Sequence, residues 1–201
     1  LPMNFSIKGV IGKSNFNRSS IPSSDNFTGC FAVKNQLNKS SKIAYNYLES
    51  SASVDSLNTD KRNYFIHTLE AYKTIGNFQF DVEIGLGKYS SPEYELPIGE
   101  AFIVNVKTKK TAKIPINIQL YRISPQFVNV TGNFLNTTVL EVFPNLPGIG
   151  STVRTPYQSP MVGIGFPVNN RQGGSVNAEA TFGKLKLNGG LGIYAELDTS
   201  H

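Results

Sequence analysis

The side chains best spaced for chemistry are Asp81 and Glu83. They stand two residues apart in an alternating segment, and in an extended chain residues i and i+2 project from one face. Two carboxylates held in that way can act as the acid and base of a hydrolytic pair. They can equally form a charged wall balanced by lysines on neighbouring strands, which is the plainer reading. Nucleophilic catalysis has little to draw on. Cys30 has no histidine near it in sequence to generate a thiolate, so it reads as a small filler at a strand start. His67 and His201 are the only imidazoles, too few for a histidine-rich metal site and poorly supplied with partners for a triad. His67 itself reads as a polar strand residue. Gly85-Leu86-Gly87-Lys88 looks like a scrap of phosphate loop but lacks the full spacing and the Ser/Thr and helix that should follow. The expectation is a protein with no catalytic residues, no cofactor and no metal.

The element that must position Asp81 and Glu83 is a β-strand. Phe78, Phe80, Val82, Ile84 and Leu86 alternate with Gln79, Asp81, Glu83 and Gly85, the period of two that marks a sheet with one apolar face. The same period runs through Phe5–Ile11, Phe31–Leu37, Ile43–Tyr47, Phe102–Val106 and Ile114–Leu120, where Ile116 and Ile118 alternate with Asn117 and Gln119. Tyr64–Lys73 is β by content with ambiguous faces. Val176–Phe182 and Leu185–Leu197 form a hairpin about Gly183-Lys184, a two-residue loop whose first position wants the positive φ that glycine supplies. Pairing Phe182 with Leu185 sets Ala180 against Leu187 and Ala178 against Gly189, and places Glu179 diagonal to Lys186. This makes nine strands and no helix, several of them longer than the roughly 5–6 residues usual in soluble sheets.

Composition fits the pattern. The chain has 201 residues, of which 39% are hydrophobic and 16% charged, with a net charge of +5. The charged share is below the roughly 25% of ordinary soluble domains, yet no apolar run reaches the ~20 residues of a membrane helix. Alternation reconciles the two by hiding hydrophobicity on one side of each strand. The links also alternate: short at Asn38–Ser41, Thr74–Asn77, Lys109–Ala112 and Gly183-Lys184, long at Lys13–Thr28, Ala52–Asn63, Lys88–Glu100 and Phe127–Gly174. Short turns at one end and long loops at the other mark an antiparallel up-and-down transmembrane β-barrel of the bacterial outer membrane. On that reading Phe78, Phe80, Val82, Ile84, Ile116, Ile118, Leu187, Leu191 and Ile193 face lipid. Lys8, Lys34, Asp81, Glu83, Asn105, Asn117, Gln119, Glu179, Lys186 and Glu196 line the lumen, and Phe16, Phe31, Phe78, Tyr89, Tyr121 and Phe182 suit an interfacial aromatic girdle. A soluble, secreted β-sandwich that binds carbohydrate or protein through its loops gives the same alternation and stays open as the alternative.

The run Ile116–Asn129, then Asn136–Val139, then the hairpin Val176–Leu197 resembles meander outer-membrane barrels of Bacteroidota, a group that includes the translocon of the type 9 secretion system. The resemblance covers most of the chain in pattern and short stretches in letters. It implies a pore, transporter or translocation component whose partners are outer-membrane lipid and other membrane-protein or secretion-complex subunits. Such proteins carry a signal peptide and even strand numbers. Nine strands behind Leu1-Pro2-Met3 therefore imply a mature form or a piece of a larger barrel, one domain over residues 1–201 with a long loop at 127–174.

The lysines gather at the short-turn end: Lys39, Lys42, Lys107, Lys109, Lys110, Lys113, Lys184 and Lys186. They suit solvated turns or phospholipid headgroups. Nucleic acid is not expected, because no β face combines them with an aromatic patch. Within the long loop, Pro160–Pro167 is apolar enough to need cover by the lumen or a partner. The Asn-x-Ser/Thr tripeptides, such as Asn26-Phe27-Thr28, follow from composition, and Asp55-Ser56-Leu57 matches a short O-glycosylation pattern.

Overall fold

Alternating apolar residues give each segment a side to bury, and links too short for a crossover force neighbouring segments to pair antiparallel. The computed structural model follows that logic. It describes residues 4–12, 27–53, 61–90, 92, 95–109, 112, 114–127, 135–136, 151–152, 169–183 and 185–197. The strands are β1 (Asn4–Gly12), β2 (Phe27–Asn38), β3 (Ser41–Ser53), β4 (Lys61–Ile75), β5 (Phe78–Ser90), β6 (Gly99–Thr108), β7 (Ile116–Ile123), β8 (Leu135–Asn136), β9 (Ser151–Thr152), β10 (Arg171–Phe182) and β11 (Leu185–Glu196). Nine of them form one sheet in the order β1-β2-β3-β4-β5-β6-β7-β10-β11, antiparallel throughout. The fold is therefore all-β and up-and-down. β1 and β11 are not paired with each other, so the sheet is open. β8 and β9, two residues each, form a separate parallel pair inside the long link; runs that short carry no readable period.

The hairpin register stands as the turn chemistry dictates, with Phe182 opposite Leu185, Ala180 opposite Leu187 and Ala178 opposite Gly189. Gly183 has φ 60°, and Gly76 in the β4–β5 turn has φ 57°. Several boundaries differ from the sequence reading. β7 begins at Ile116 rather than Ile114, because Pro115 has no N–H to give a ladder; the Ile116 amide instead donates to Thr108 Oγ1 at 2.8 Å. The β6–β7 link is accordingly 109–115, longer than the other links at that end. β10 begins at Arg171, before Gly173 and Gly174, where a side chain would strike Tyr194 and Leu120. Glycine there reads as loop in sequence but serves as floor space for neighbouring side chains.

Following partners across the sheet, Phe5 pairs with Asn35, then Ile43, Ala71, Val82, Val104, Leu120, Gly174 and Ile193. Phe5 is the second residue of β1, whereas Ile193 is the ninth of β11. Rows perpendicular to the strands thus climb steadily from the short-turn end to the long-loop end. Such stagger is what tilted strands in a coiled sheet require.

Candidate functional site: a sheltered polar face

Antiparallel partners lie on the same side of a sheet, so the register sorts every strand residue onto one of two faces. Lys8, Lys34, Asp81, Glu83, Asn105, Asn117, Gln119, Glu179, Lys186 and Glu196 all fall on one face. Phe78, Phe80, Val82, Ile84, Ile116, Ile118, Leu187, Leu191 and Ile193 all fall on the other. The ambiguous strand resolves: Tyr64, Ile66, Thr68, Glu70 and Tyr72 share the face of Asp81, and Phe65, His67, Leu69 and Ala71 share that of Val82.

The faces differ in the opposite sense to a water-soluble core. The apolar face is exposed, with Ile84 at 51%, Leu120 at 50% and Leu69 at 47%, and nothing among the described residues packs over it. The polar face is the more sheltered one across β3 to β7, whereas β1 is exposed on both sides and β11 nearly so. Tyr64, Tyr89, Tyr121, Ala44 and Ile123, the buried hydrophobic set among the described residues, all project from it.

The middle of the polar face is a hydrogen-bonded wall. Asn46 Nδ2 donates to Thr68 Oγ1 at 3.0 Å and to Glu70 Oε1 at 2.7 Å, and Gln119 Nε2 donates to Asn105 Oδ1 at 3.0 Å. Glu70 stands directly opposite Glu83, with Asp81 on the same strand. Like charges directly opposite destabilise a sheet, so this patch is kept against its local cost. Basic residues flank it on other strands: Lys8 on β1, Lys34 on β2, Lys42 on β3, Lys107 on β6 and Arg171 on β10. Lys42 Nζ lies 5.2 Å from the Tyr72 ring centre, a cation–π pair. The wall is thus polarised, acidic on β4–β5 and basic on β1–β3 and β6, with both signs on β10–β11, where Arg171 stands opposite Glu196.

Towards the long-loop end the same face becomes aromatic, which sequence alone did not reveal. Tyr64 and Tyr89 pack together with Leu48, Ile66 and Leu96. Leu96 reaches them because the β5–β6 link folds back: its amide donates to the Tyr89 carbonyl at 3.2 Å, and Lys88 binds Glu95 at 2.6 Å. The Lys88 ammonium holds the Glu95 carboxyl below the usual carboxylate range, by hydrogen bond and charge. Phe127 then lies over Gly85 and Gly87, where an added methyl would meet its ring at 3.1 and 3.3 Å, and its backbone lies against Gly99. The scrap that resembled a phosphate loop is therefore the bed of an aromatic ring. Asn169 Nδ2 donates to the Pro125 carbonyl at 3.2 Å, so both stems of the long link are tied together on this side. The sequence signal that could have found this bed is the glycine spacing 85, 87 and 99.

The girdle expectation needs correction. Phe31, Phe78 and Phe182 do stand exposed on the apolar face, but Tyr89 and Tyr121 point to the polar side and are buried. On the apolar face Phe31 packs against Tyr45 and Tyr47, and these two with Phe65 gather about His67 at 4.9–6.1 Å between centroids. Tyr45 Oη and His67 Nδ1 are 2.6 Å apart, so His67 belongs to an outward aromatic cluster. Cys30 is exposed on the polar side of β2. Phe16, Lys110, Lys113, Lys184, Asp55-Ser56-Leu57 and Pro160–Pro167 lie outside the described residues. No group of His, Cys, Asp and Glu able to hold a metal occurs among the described residues, nor does a helix long and apolar enough to cross a membrane. No family model, no curated protein and no solved structure matches the chain.

Proposed function

We propose that this chain forms wall of an outer-membrane β-barrel and serves as a pore, transporter or translocation component without catalysis. The observation that carries the reading is the inversion of the two faces. An apolar surface spanning nine strands lies open while the polar side of the middle strands, β3 to β7, is the more sheltered one. Apolar patches beyond a few hundred Å² mark a membrane or protein interface, and a sheet whose outside is apolar and inside polar is suited to lipid.

Dimensions agree. The strands of the sheet run 8–15 residues, bracketing the ~9–11 that cross a bilayer. On β5 the apolar positions extend from Phe78 to Leu86, eight steps of about 3.3 Å, or ~20 Å of height at a tilt near 40°. Beyond Leu86 that face carries Lys88, and beyond Phe102 and Leu120 the Glu100–Arg122 pair at 4.0 Å. At the other end the band closes on the β4–β5 turn after Ile75 and Phe78, with Lys73 opposite Phe80 one same-face pair inside it. The polarised wall of Glu70, Asp81 and Glu83 against Lys8, Lys34 and Lys107 would then govern which ions or polar solutes pass, and outer-membrane lipid would be the partner of the apolar face.

Solubility behaviour tests this directly. The expected result is dependence on detergent, heat-modifiable migration on a gel and conductance across a planar bilayer. A monodisperse chain in plain buffer would overturn it and restore the soluble sandwich.

A further inference from the structure

Resting on the membrane reading, we infer that the short-turn end of the wall is a binding rim for anionic phospholipid headgroups. Charge is segregated along the strands. The four short links, taken with three strand residues on either side, are residues 36–43, 73–80, 106–118 and 180–187. They hold nine of the chain's 19 basic residues and none of its 14 acidic ones. The nearest carboxylates, Asp81 and Glu179, lie one position further in, on the polar side. At the long-loop end cations are instead neutralised in place, Lys88 by Glu95 at 2.6 Å and Arg122 by Glu100 at 4.0 Å. No lysine of the short-turn end makes an ion pair among the described residues, and Lys39, Lys73, Lys107 and Lys186 are exposed.

The links that carry these lysines form one connected edge. The Thr74 amide donates to the Ser40 carbonyl at 2.8 Å, the Lys109 amide to the Asn77 carbonyl at 2.8 Å and the Glu179 amide to the Pro115 carbonyl at 2.9 Å. On the apolar face the last pairs before the turns are Ile75 with Phe78 and Phe182 with Leu185, 49–62% exposed. Lipid on that face therefore reaches the turns. Lys73 shares the face two residues from the end of β4, close enough for its long stem to carry the ammonium to the headgroup layer. Lys39 and Lys109 stand in the flanking links. Cations gathered without carboxylates repel one another, and lipid phosphate at headgroup depth is the counter-charge within reach. A zwitterionic headgroup brings its own cation, so the match is to lipid of net negative charge. A soluble acidic partner would answer the lysines but leave the four apolar side chains at the turns bare, whereas a phospholipid covers both.

The chain has no Trp, so Phe78→Trp and Leu86→Trp each introduce a single fluorescent reporter, at equally exposed positions towards the two ends of β5. Each full chain is reconstituted in phosphatidylcholine vesicles containing acyl-brominated phosphatidylglycerol or acyl-brominated phosphatidylcholine, and quenching is measured. Beside position 78, phosphatidylglycerol is expected to be favoured at least about fivefold, which is what one lysine near an anionic surface supplies; beside position 86 the two lipids are expected to quench alike. The preference is expected to vanish in high salt, and also in K39Q/K73Q/K109Q. Quenching at both positions with no preference at 78 overturns the inference and leaves the membrane reading standing, with the lysines free for water or an acidic protein. A preference equal at both positions, or one that survives the triple substitution, overturns it in the same way. Absence of quenching at both positions overturns the membrane reading itself.

Discussion

At the scale of single residues, the glycines of the polar face matter through what lies over them. At Gly99 an added methyl meets the backbone of Gln126 and Phe127, whereas at Gly87 the nearest obstacle is the movable Tyr64 hydroxyl, 2.9 Å away. Gly99→Ala is therefore expected to cost about 1–3 kcal/mol as an overpacking change, and Gly87→Ala less; urea unfolding of both variants checks the order. Glu83→Gln removes one of two facing carboxylates, so it is expected to raise stability by up to about 1 kcal/mol. It should also move the reversal potential of any conductance away from cations. Glu95 supplies a pH prediction. Its folded value is lowered by Lys88, so the ion pair is intact above the ordinary carboxylate value and is lost as pH falls through the lowered one. Protection of the Leu96 amide, its exchange compared with the intrinsic rate at the same pH, is expected to hold at neutral pH and to be lost as pH falls through the lowered carboxyl value.

At the scale of elements, the two faces of one strand make opposite predictions for the same substitution. Val82→Lys puts a charge at the middle of the apolar face. In a membrane wall it is expected to cost about 2–4 kcal/mol, while on a water-exposed surface it would stay within about 0.5 kcal/mol. Folding into lipid vesicles with and without the change reads this difference, and Gln119→Lys on the opposite face serves as the control. Turns were the most legible elements. Gly183 follows from the two-residue loop between alternating runs, and Gly183→Ala is expected to cost about 1–2 kcal/mol because its φ of 60° penalises any Cβ. The faces of β4 were not legible. Phe65, His67 and Leu69 on one side and Tyr64, Ile66 and Tyr72 on the other are nearly matched in hydrophobicity, and only pairing with β3 and β5 separated them.

At the scale of the whole molecule, the climbing row from Phe5 to Ile193 ties strand tilt to register. Oriented in supported bilayers, the sheet is expected to show strands inclined by about 35–45° in polarised infrared spectra; strands lying flat on the surface would contradict a spanning wall. The apolar face and the open edges are properties of this scale as well, since no single strand is hydrophobic enough to enter lipid alone.

What the sequence determined by itself is the local part: nine strands, their turns, and which side of most strands is apolar. These follow from a period of two and from glycine and proline chemistry within a few residues. Tertiary structure decided where long-range partners meet. Glu70 faces Glu83, Phe127 settles on glycines of β5 and β6, and Tyr89 and Tyr121 turn to the sheltered side. Each depends on register between segments far apart in the chain. The inversion of the faces was decided there too, because alternation says that a strand has an apolar side, and only packing says whether that side is covered.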